Sequence, residues 1–245
     1  MAAEKIPCIR IDGASREESG DEAVEEMPVA FFVNGRHAAT VLTSPHYLEE
    51  FATGYLYTEQ IIRSPGEIES IRVEKNRISV LTKDPFRITG RKKTVLSGCG
   101  GAVSYIDTEK LEKIRSDFTV TPAALTAAAS GPAAGGDLET VSLAGTEGVI
   151  ASFEDIDRHT ALDRVIGYGL RAGIDFSATF AVTTGTVTSE MVRKCLVAGI
   201  PILASTGGAS GLAIEIAEAT GLCLIGRISE TGLVVYTHDE RVAEP

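Results

Sequence analysis

TFAVTTGTVTSEMVRKCLVAGIPILASTGGASGLAIEIAEATGLCLIGRISETGLVVYT, residues 179–237, decides the fold class. Strand-like apolar runs at Thr179–Thr184, Ile200–Ala204, Leu222–Ile228 and Leu233–Thr237 alternate with two helical patterns. Ser189 caps the first helix, which carries Met191, Val192, Cys195 and Leu196 on one face, and Ser210–Ala219 forms the second. Strands that alternate with helices predict an open, largely parallel sheet with helices packed on both faces, an α/β class. Glu230-Thr231-Gly232 is a hairpin turn, which makes the last strand antiparallel.

Immediately upstream, Thr140–Leu143 and Gly148–Phe153 read as strands around a Gly-Thr-Glu-Gly turn, and Arg158 to about Arg171 as a helix burying Ala161, Leu162, Val165 and Ile166. The stretch 130–136 (SGPAAGG) is the best linker candidate. Before it, helical patterns cover 107–116 and 122–129. The basic run Arg91-Lys92-Lys93 leads into a glycine cluster, SGCGG, at 97–101, and residues 68–82 alternate like two strands split at Lys75-Asn76-Arg77. Ser44-Pro45 looks like the start of a helix, with Ser as the cap and Pro in the first turn. Leu48, Phe51, Ala52, Tyr55 and Leu56 share its apolar face. Val29–Val33 and Ala38–Leu42 form a hairpin about Asn34-Gly35. Residues 12–26 hold seven acidic side chains, one Arg and little to bury, so a solvated, mobile segment is expected. The organisation is therefore a mobile acidic segment at 1–27, an N-terminal α+β part at 28–130 and a C-terminal α/β domain at 137–245. No internal repeat of useful length is present.

The 245 residues carry 23 Lys and Arg against 34 Asp and Glu, a formal charge of −11. That balance excludes a protein that tracks nucleic-acid phosphates over a basic surface. No run approaches the ~20 apolar residues of a membrane span, and the first residues lack a secretory pattern. The cytoplasm is the expected compartment. Cys8, Cys99, Cys195 and Cys223 form no CxxC pair, so neither a disulfide framework nor a Cys-rich metal site is expected. His37, His46, His159 and His238 show no metal-ligand spacing, and no metal site is assigned.

Cys195 and Cys223 fall in apolar periodic segments and read as small core residues. Cys99 differs. Gly98, Gly100 and Gly101 offer it no apolar cover and let another molecule approach, while nearby cations favour a thiolate. It is either a functional thiol or a turn residue. The run Glu154-Asp155-Ile156-Asp157-Arg158-His159 is either a capped helix start or a polar site at a strand-to-helix junction. The small-residue junctions 184–190 and 205–210 also open helices after strands, where backbone N–H groups favour anions. Together these features make a phosphate-bearing ligand plausible.

The ordered chain resembles the formate dehydrogenase accessory sulfurtransferase (FdhD) family. The resemblance rests on VNG at 33–35, LEEFATGYLYTEQII at 48–62, SGCGGAV at 97–103, FEDIDRHTALDRVIGYGL at 153–170, TGTVTSEMVRK at 184–194, GIPILAST at 199–206 and LCLIGRISETGLVVYTHDERV at 222–242. It implies a cytidine-deaminase-like three-layer α/β/α sandwich with a smaller N-terminal α+β part, and a homodimer. It also implies an activity. Sulfur taken from a cysteine desulfurase as a persulfide passes to the molybdenum cofactor in its bis-molybdopterin guanine dinucleotide form, as formate dehydrogenase requires. Cys99 matches the persulfide-carrying position of the family loop, and Ala102 stands where that loop has a second Cys. Cofactor-binding positions carried over are Arg227, Ile228, Ser229, Glu230, Thr231 and Gly232. The junction residues His159, Arg158, Gly185, Ser189, Gly207 and Ser210 are added as candidates for holding its phosphates. Thr186 and Thr206 stand where the family loops carry Arg, and Asp157 and Thr160 where they carry Gly and Asn. A non-catalytic chaperone for the cofactor is the alternative expectation, and a redox-sensing thiol protein is a third, disfavoured by the resemblance.

Overall fold

The computed structural model describes residues 4–84, 111–130 and 137–244. Strands β1 (Glu4–Asp12) and β2 (Ser15–Ala23) form an antiparallel ribbon where the acidic composition predicts no regular structure. Charge pairing explains the difference: Lys5 lies opposite Glu22 and Arg10 opposite Glu17, so part of the acidic charge is answered across the strands. From Lys5 onward every side chain of the ribbon except Cys8, Ser19 and Ala23 is exposed, as its composition requires.

Next come β3 (Met27–Val33), β4 (Arg36–Thr43), α1 (Leu48–Thr58), β5 (Ile68–Glu74) and β6 (Arg77–Thr82). The four strands make a sheet in the order β4-β3-β6-β5. Helix α1 packs on one face, with the Phe31 ring 6.2 Å from that of Phe51 and 5.1 Å from that of Tyr55. Val29, Val33, Leu56, Ile62, Ile78 and Val80 complete this smaller α+β core.

Helix α1 begins at Leu48, not at Ser44-Pro45: Tyr47 precedes it at φ 52°, without a side-chain cap. Ser44 is buried and hydrogen-bonds Asp155 instead, so a tertiary contact takes the hydroxyl that a cap would have used. The helix expected over 107–116 is absent from its described part, 111–116. The Ile114 N–H donates to Thr220 O, and the Ser116 carbonyl accepts from Arg241 Nη1, so distant partners hold these backbone groups. Helix α2 (Pro122–Ala129) forms as expected, with Thr121 Oγ1 accepting from Ala124 N. Of the expected linker, residues 131–136 lie outside the described residues.

The larger part contains β7 (Glu139–Gly145), β8 (Gly148–Asp155), α3 (Arg158–Ala172), β9 (Phe180–Thr183), α4 (Ser189–Ala198), β10 (Ile202–Ser205), α5 (Gly211–Thr220), β11 (Cys223–Ser229) and β12 (Gly232–Thr237). Its sheet runs β12-β11-β10-β9-β7-β8. Strands β9, β10 and β11 are parallel neighbours, β12 is antiparallel as expected, and β7 lies antiparallel between β8 and β9. The sheet is thus mixed rather than largely parallel. The 146–147 turn closes β7 and β8 into a hairpin, which only antiparallel strands can form. Because β7 reverses direction on both sides, β8, β9, β10 and β11 all point the same way. Helices α3, α4 and α5 share a core with one face, and α2 with Phe118 and Val120 covers the other. Helices therefore lie on both faces.

The two parts meet along α1 and α3 at minimal distance. A Cβ on Gly54 would lie 1.8 Å from Asp163 O, and one on Gly167 1.9 Å from Glu50 O, so only glycine allows this crossing. Beside it, Lys194 Nζ lies 2.6 Å from Asp163 Oδ2, and Thr58 Oγ1 donates to Asp163 Oδ1 at 2.8 Å. This ion pair is almost wholly buried.

Candidate functional site

Strands β8, β9 and β10 each release a helix at the same edge of the sheet, so the N-termini of α3, α4 and α5 gather there. Asp157 caps α3, its Oδ1 accepting from His159 N at 2.7 Å, and Ser210 caps α5. Thr188 rather than Ser189 caps α4, and Ser189 is its first residue. Aligned helix dipoles make this edge favourable to anions.

The junction loops are stitched together by their backbones. Thr206 N donates to Thr183 O, Val187 N to Gly208 O, Ser210 N to Val187 O and Arg227 N to Gly207 O, at 3.1, 2.9, 3.0 and 2.6 Å. Ser205 Oγ donates to Gly185 O and accepts from Gly207 N. A Cβ on Gly207 would lie 2.5 Å from the Gly185 carbonyl, which explains the glycine at that position. Gly185, Gly207, Ser189, Ser210 and Arg227 are thereby brought to one edge.

Arg158 serves as a strut. Its Nη2 lies 2.8 Å from Glu139 Oε1 and its Nη1 donates to Thr186 O at 2.6 Å, while Thr184 Oγ1 donates to Glu139 Oε2. Its charge is already answered by Glu139, so it holds the β9–α4 loop rather than standing as a bare cation. Glu139 belongs to no motif, and only the strand order brings it beside Arg158.

A cleft of about 440 Å³ opens beside this strut, lined by Ile156, Asp157, Arg158, His159 and Thr188 on one side and by Glu26 and Leu42 on the other. It lies between the two parts of the molecule, and the 206–210 loop does not line it. His159 Nε2 lies 3.4 Å from Thr188 Oγ1, and burial pulls its pKa below the usual imidazole value. A side chain with that shift is neutral at pH 7. In an imidazole NMR titration His159 is expected to show a midpoint below ~6.5; a midpoint at or above that value would contradict the burial argument.

Arg227 lies across the 206–210 loop from this cleft. It is exposed, and its φ of 54° is in the left-handed region, a strained setting for an arginine. A Cβ on Gly208 would lie 3.9 Å from both Arg227 Nη2 and Tyr236 Oη, so guanidinium and phenol stand together over the β10–α5 junction. Tyr236 is a residue that sequence reasoning missed, since nothing but the β11–β12 register places it there. The other carried-over positions are placed differently. Ile228 is buried in the core beneath α2, whereas Ser229, Glu230, Thr231 and Gly232 form an exposed turn. In that turn Ser229 Oγ bonds Thr231 Oγ1 and Gly232 O.

Cys195 and Cys223 are buried, and burial pushes each thiol up to about 12. Cys8 is half-buried on the ribbon, and Cys99 lies outside the described residues, as do Arg91, Lys92 and Lys93. Among the described residues no His, Cys, Asp and Glu cluster could hold a metal ion, and no helix is long and apolar enough to cross a membrane.

The fold is that of a crystal structure described as a formate dehydrogenase accessory protein from Desulfotalea psychrophila, with a TM-score of 0.82, 23% identity and coverage of 98% of this chain and 99% of that one. Curated relatives named sulfur carrier protein FdhD include one from Xanthomonas axonopodis pv. citri, 34% identical over 91% of this chain and 86% of its own. One from Bordetella petrii is 30% identical over 91% and 87%, and one from Methanothermobacter thermautotrophicus 29% over 97% and 98%. The FdhD/NarQ family model matches residues 24–243. That span takes in the α1–α3 crossing, the three stitched junctions and the Arg227–Tyr236 edge, and the chain belongs to the FdhD/NarQ family.

Proposed function

We propose that this protein is a sulfurtransferase-like accessory protein that carries sulfur from a cysteine desulfurase, as a Cys99 persulfide, to the bis-molybdopterin guanine dinucleotide cofactor of a formate dehydrogenase. Its membership of a family whose curated relatives are named sulfur carriers is the observation that carries this reading. Thiol chemistry supports the choice of cysteine. A persulfide forms when a thiolate attacks the outer sulfur of the desulfurase's cysteine persulfide, making the new S–S bond as the donor's breaks and its cysteine leaves as a thiolate. Thiols near pKa 12 are almost never ionised at pH 7. That leaves Cys99 and Cys8, and Cys99 alone matches the sulfur-carrying loop of the family.

The cofactor is cargo in this reading. The three helix N-termini, with Arg227 and Tyr236 over Gly208, would hold its guanine-nucleotide phosphates, and the cleft at His159 would admit the adjoining guanosine. Arg227 supplies a cation at the edge where Thr206 stands in place of an arginine. The layering, with helices on both faces of a sheet, suits a cytidine-deaminase-like sandwich. The chain would work in the cytoplasm as a homodimer, with the desulfurase and the dehydrogenase as transient partners.

Titration with GDP tests the binding half. Chemical-shift changes are expected at Gly185–Ser189, Thr206–Ser210 and Arg227, and Arg227→Ala should weaken binding about tenfold, as loss of a charge-assisted contact of ~1.5 kcal/mol does. No binding at millimolar GDP would contradict it.

A further inference from the structure

The cleft has two walls from different parts of the chain, and one buried carboxylate holds both. Asp155 and Arg164 are completely inaccessible, with Arg164 Nη1 2.6 Å from Asp155 Oδ2. The same Oδ2 accepts from Thr43 Oγ1 at 2.7 Å, Ser44 N at 3.0 Å and Ser44 Oγ at 3.1 Å. The other oxygen, Oδ1, accepts from Asp157 N at 3.0 Å. Arg164 closes the ring, donating to Glu154 O, Thr43 Oγ1 and Ser44 O. Thr43 and Ser44 directly follow Leu42, which forms one wall, and Asp157 lies in the other, with Ile156, Arg158 and His159.

Simple stability does not account for such an arrangement. A buried ion pair is weak evidence of net stabilisation, because desolvation offsets much of its attraction. What it does supply is geometry. A carboxylate with both oxygens committed in fixed directions cannot let one wall shift without breaking bonds to the other. We propose that Asp155 is a positioning residue: through Thr43 and Ser44 on one oxygen and Asp157 on the other, it fixes the spacing between the Leu42 wall and the His159 wall of the cleft. The inference rests on the proposed cofactor reading only in using a guanine nucleotide as its functional probe.

Thr43 is the place to test it, because it touches neither the cleft nor a ligand. Thr43→Val keeps the shape and removes the hydroxyl that links Asp155 to Arg164, whereas Thr43→Ser keeps the hydroxyl. Leu125→Val, in the core beneath α2 on the far face of the sheet, controls for general loss of stability. Two quantities are measured well below each variant's melting temperature: the Kd for GDP, and backbone amide exchange in peptides covering residues 40–46 and 155–161. The expected result for Thr43→Val is a tenfold or greater rise in Kd, with exchange accelerated in both peptides and not in the rest of α3. Thr43→Ser should stay within about threefold of the wild type on both readouts, and Leu125→Val should change neither. The proposal is overturned if Thr43→Val leaves exchange at 155–161 unchanged, or if Leu125→Val reproduces its effects. If wild-type protein binds no GDP, the cofactor reading fails, and the exchange measurement alone decides whether Asp155 couples the walls.

Discussion

Cys99→Ala is expected to abolish sulfur-dependent activation of a formate dehydrogenase, while Cys195→Ala and Cys223→Ala retain it. The contrast follows from ionisation. At pH 7 a thiol of pKa about 12 is ionised in only about one molecule in 10⁵. Neither buried thiol can then accept sulfur at a useful rate, and their removal affects packing alone. Ala102 sharpens the expectation, because without a second loop Cys a Cys99 persulfide has no local partner with which to form a disulfide. The sulfur must leave directly to the acceptor, or an outside reductant must restore the thiol. The check is formate dehydrogenase activity in cells lacking their own copy of the accessory protein and supplied with each variant. Full activity with Cys99→Ala would make the chaperone alternative the better account.

Lys194→Met should destabilise the protein by about 3–5 kcal/mol at pH 8, the cost of stranding a buried charge. The deficit should shrink as the pH falls. Burial already raises the pKa of Asp163, and Lys194 is the main group opposing that rise. Removing the ammonium lifts the folded-state pKa further above the unfolded value of ~3.9. A carboxyl whose folded pKa is raised binds its proton more tightly in the folded state, so stability increases as pH drops through that folded pKa towards the unfolded one. Urea unfolding at pH 8 and pH 5 measures this. Equal deficits at the two pH values would show that Asp163 is not stranded. The double variant Asp163→Asn with Lys194→Met should recover part of the loss at pH 8, because the two residues act as a pair.

Much of the C-terminal part was legible from periodicity. Strands and helices from Glu139 to Thr237 fall within a few residues of their expected places, because each helix has a capping side chain and β9, β10 and β12 are each built on an apolar run. Where the structure departs from the sequence pattern, the cause is tertiary. Ser44 has the look of a helix cap, yet Asp155, 111 residues away, takes its hydroxyl. Ile114 and Ser116 sit in a helical pattern, but their backbone groups are held by Thr220 and Arg241. The insertion of β7 between β8 and β9 leaves no local trace, since a hairpin can join either edge of a sheet.

The same limit applies to the site. His159, Gly185, Gly207 and Arg227 stand at strand-to-helix or strand-to-strand turns, where glycine and capping patterns are visible in sequence. Glu139, Tyr236 and the Thr43–Ser44 pair are found only through pairing across the sheet or between the two parts. Arg158 was visible as a cation, but its neutralisation by Glu139 was not.

The most direct test of sulfur transfer is mass spectrometry of the protein after incubation with a cysteine desulfurase and cysteine. Transfer through Cys99 predicts a mass increase of one sulfur atom, located on the peptide that contains Cys99, reversed by a thiol reductant and absent from Cys99→Ala. No adduct, or an adduct confined to Cys8, Cys195 or Cys223, would contradict it.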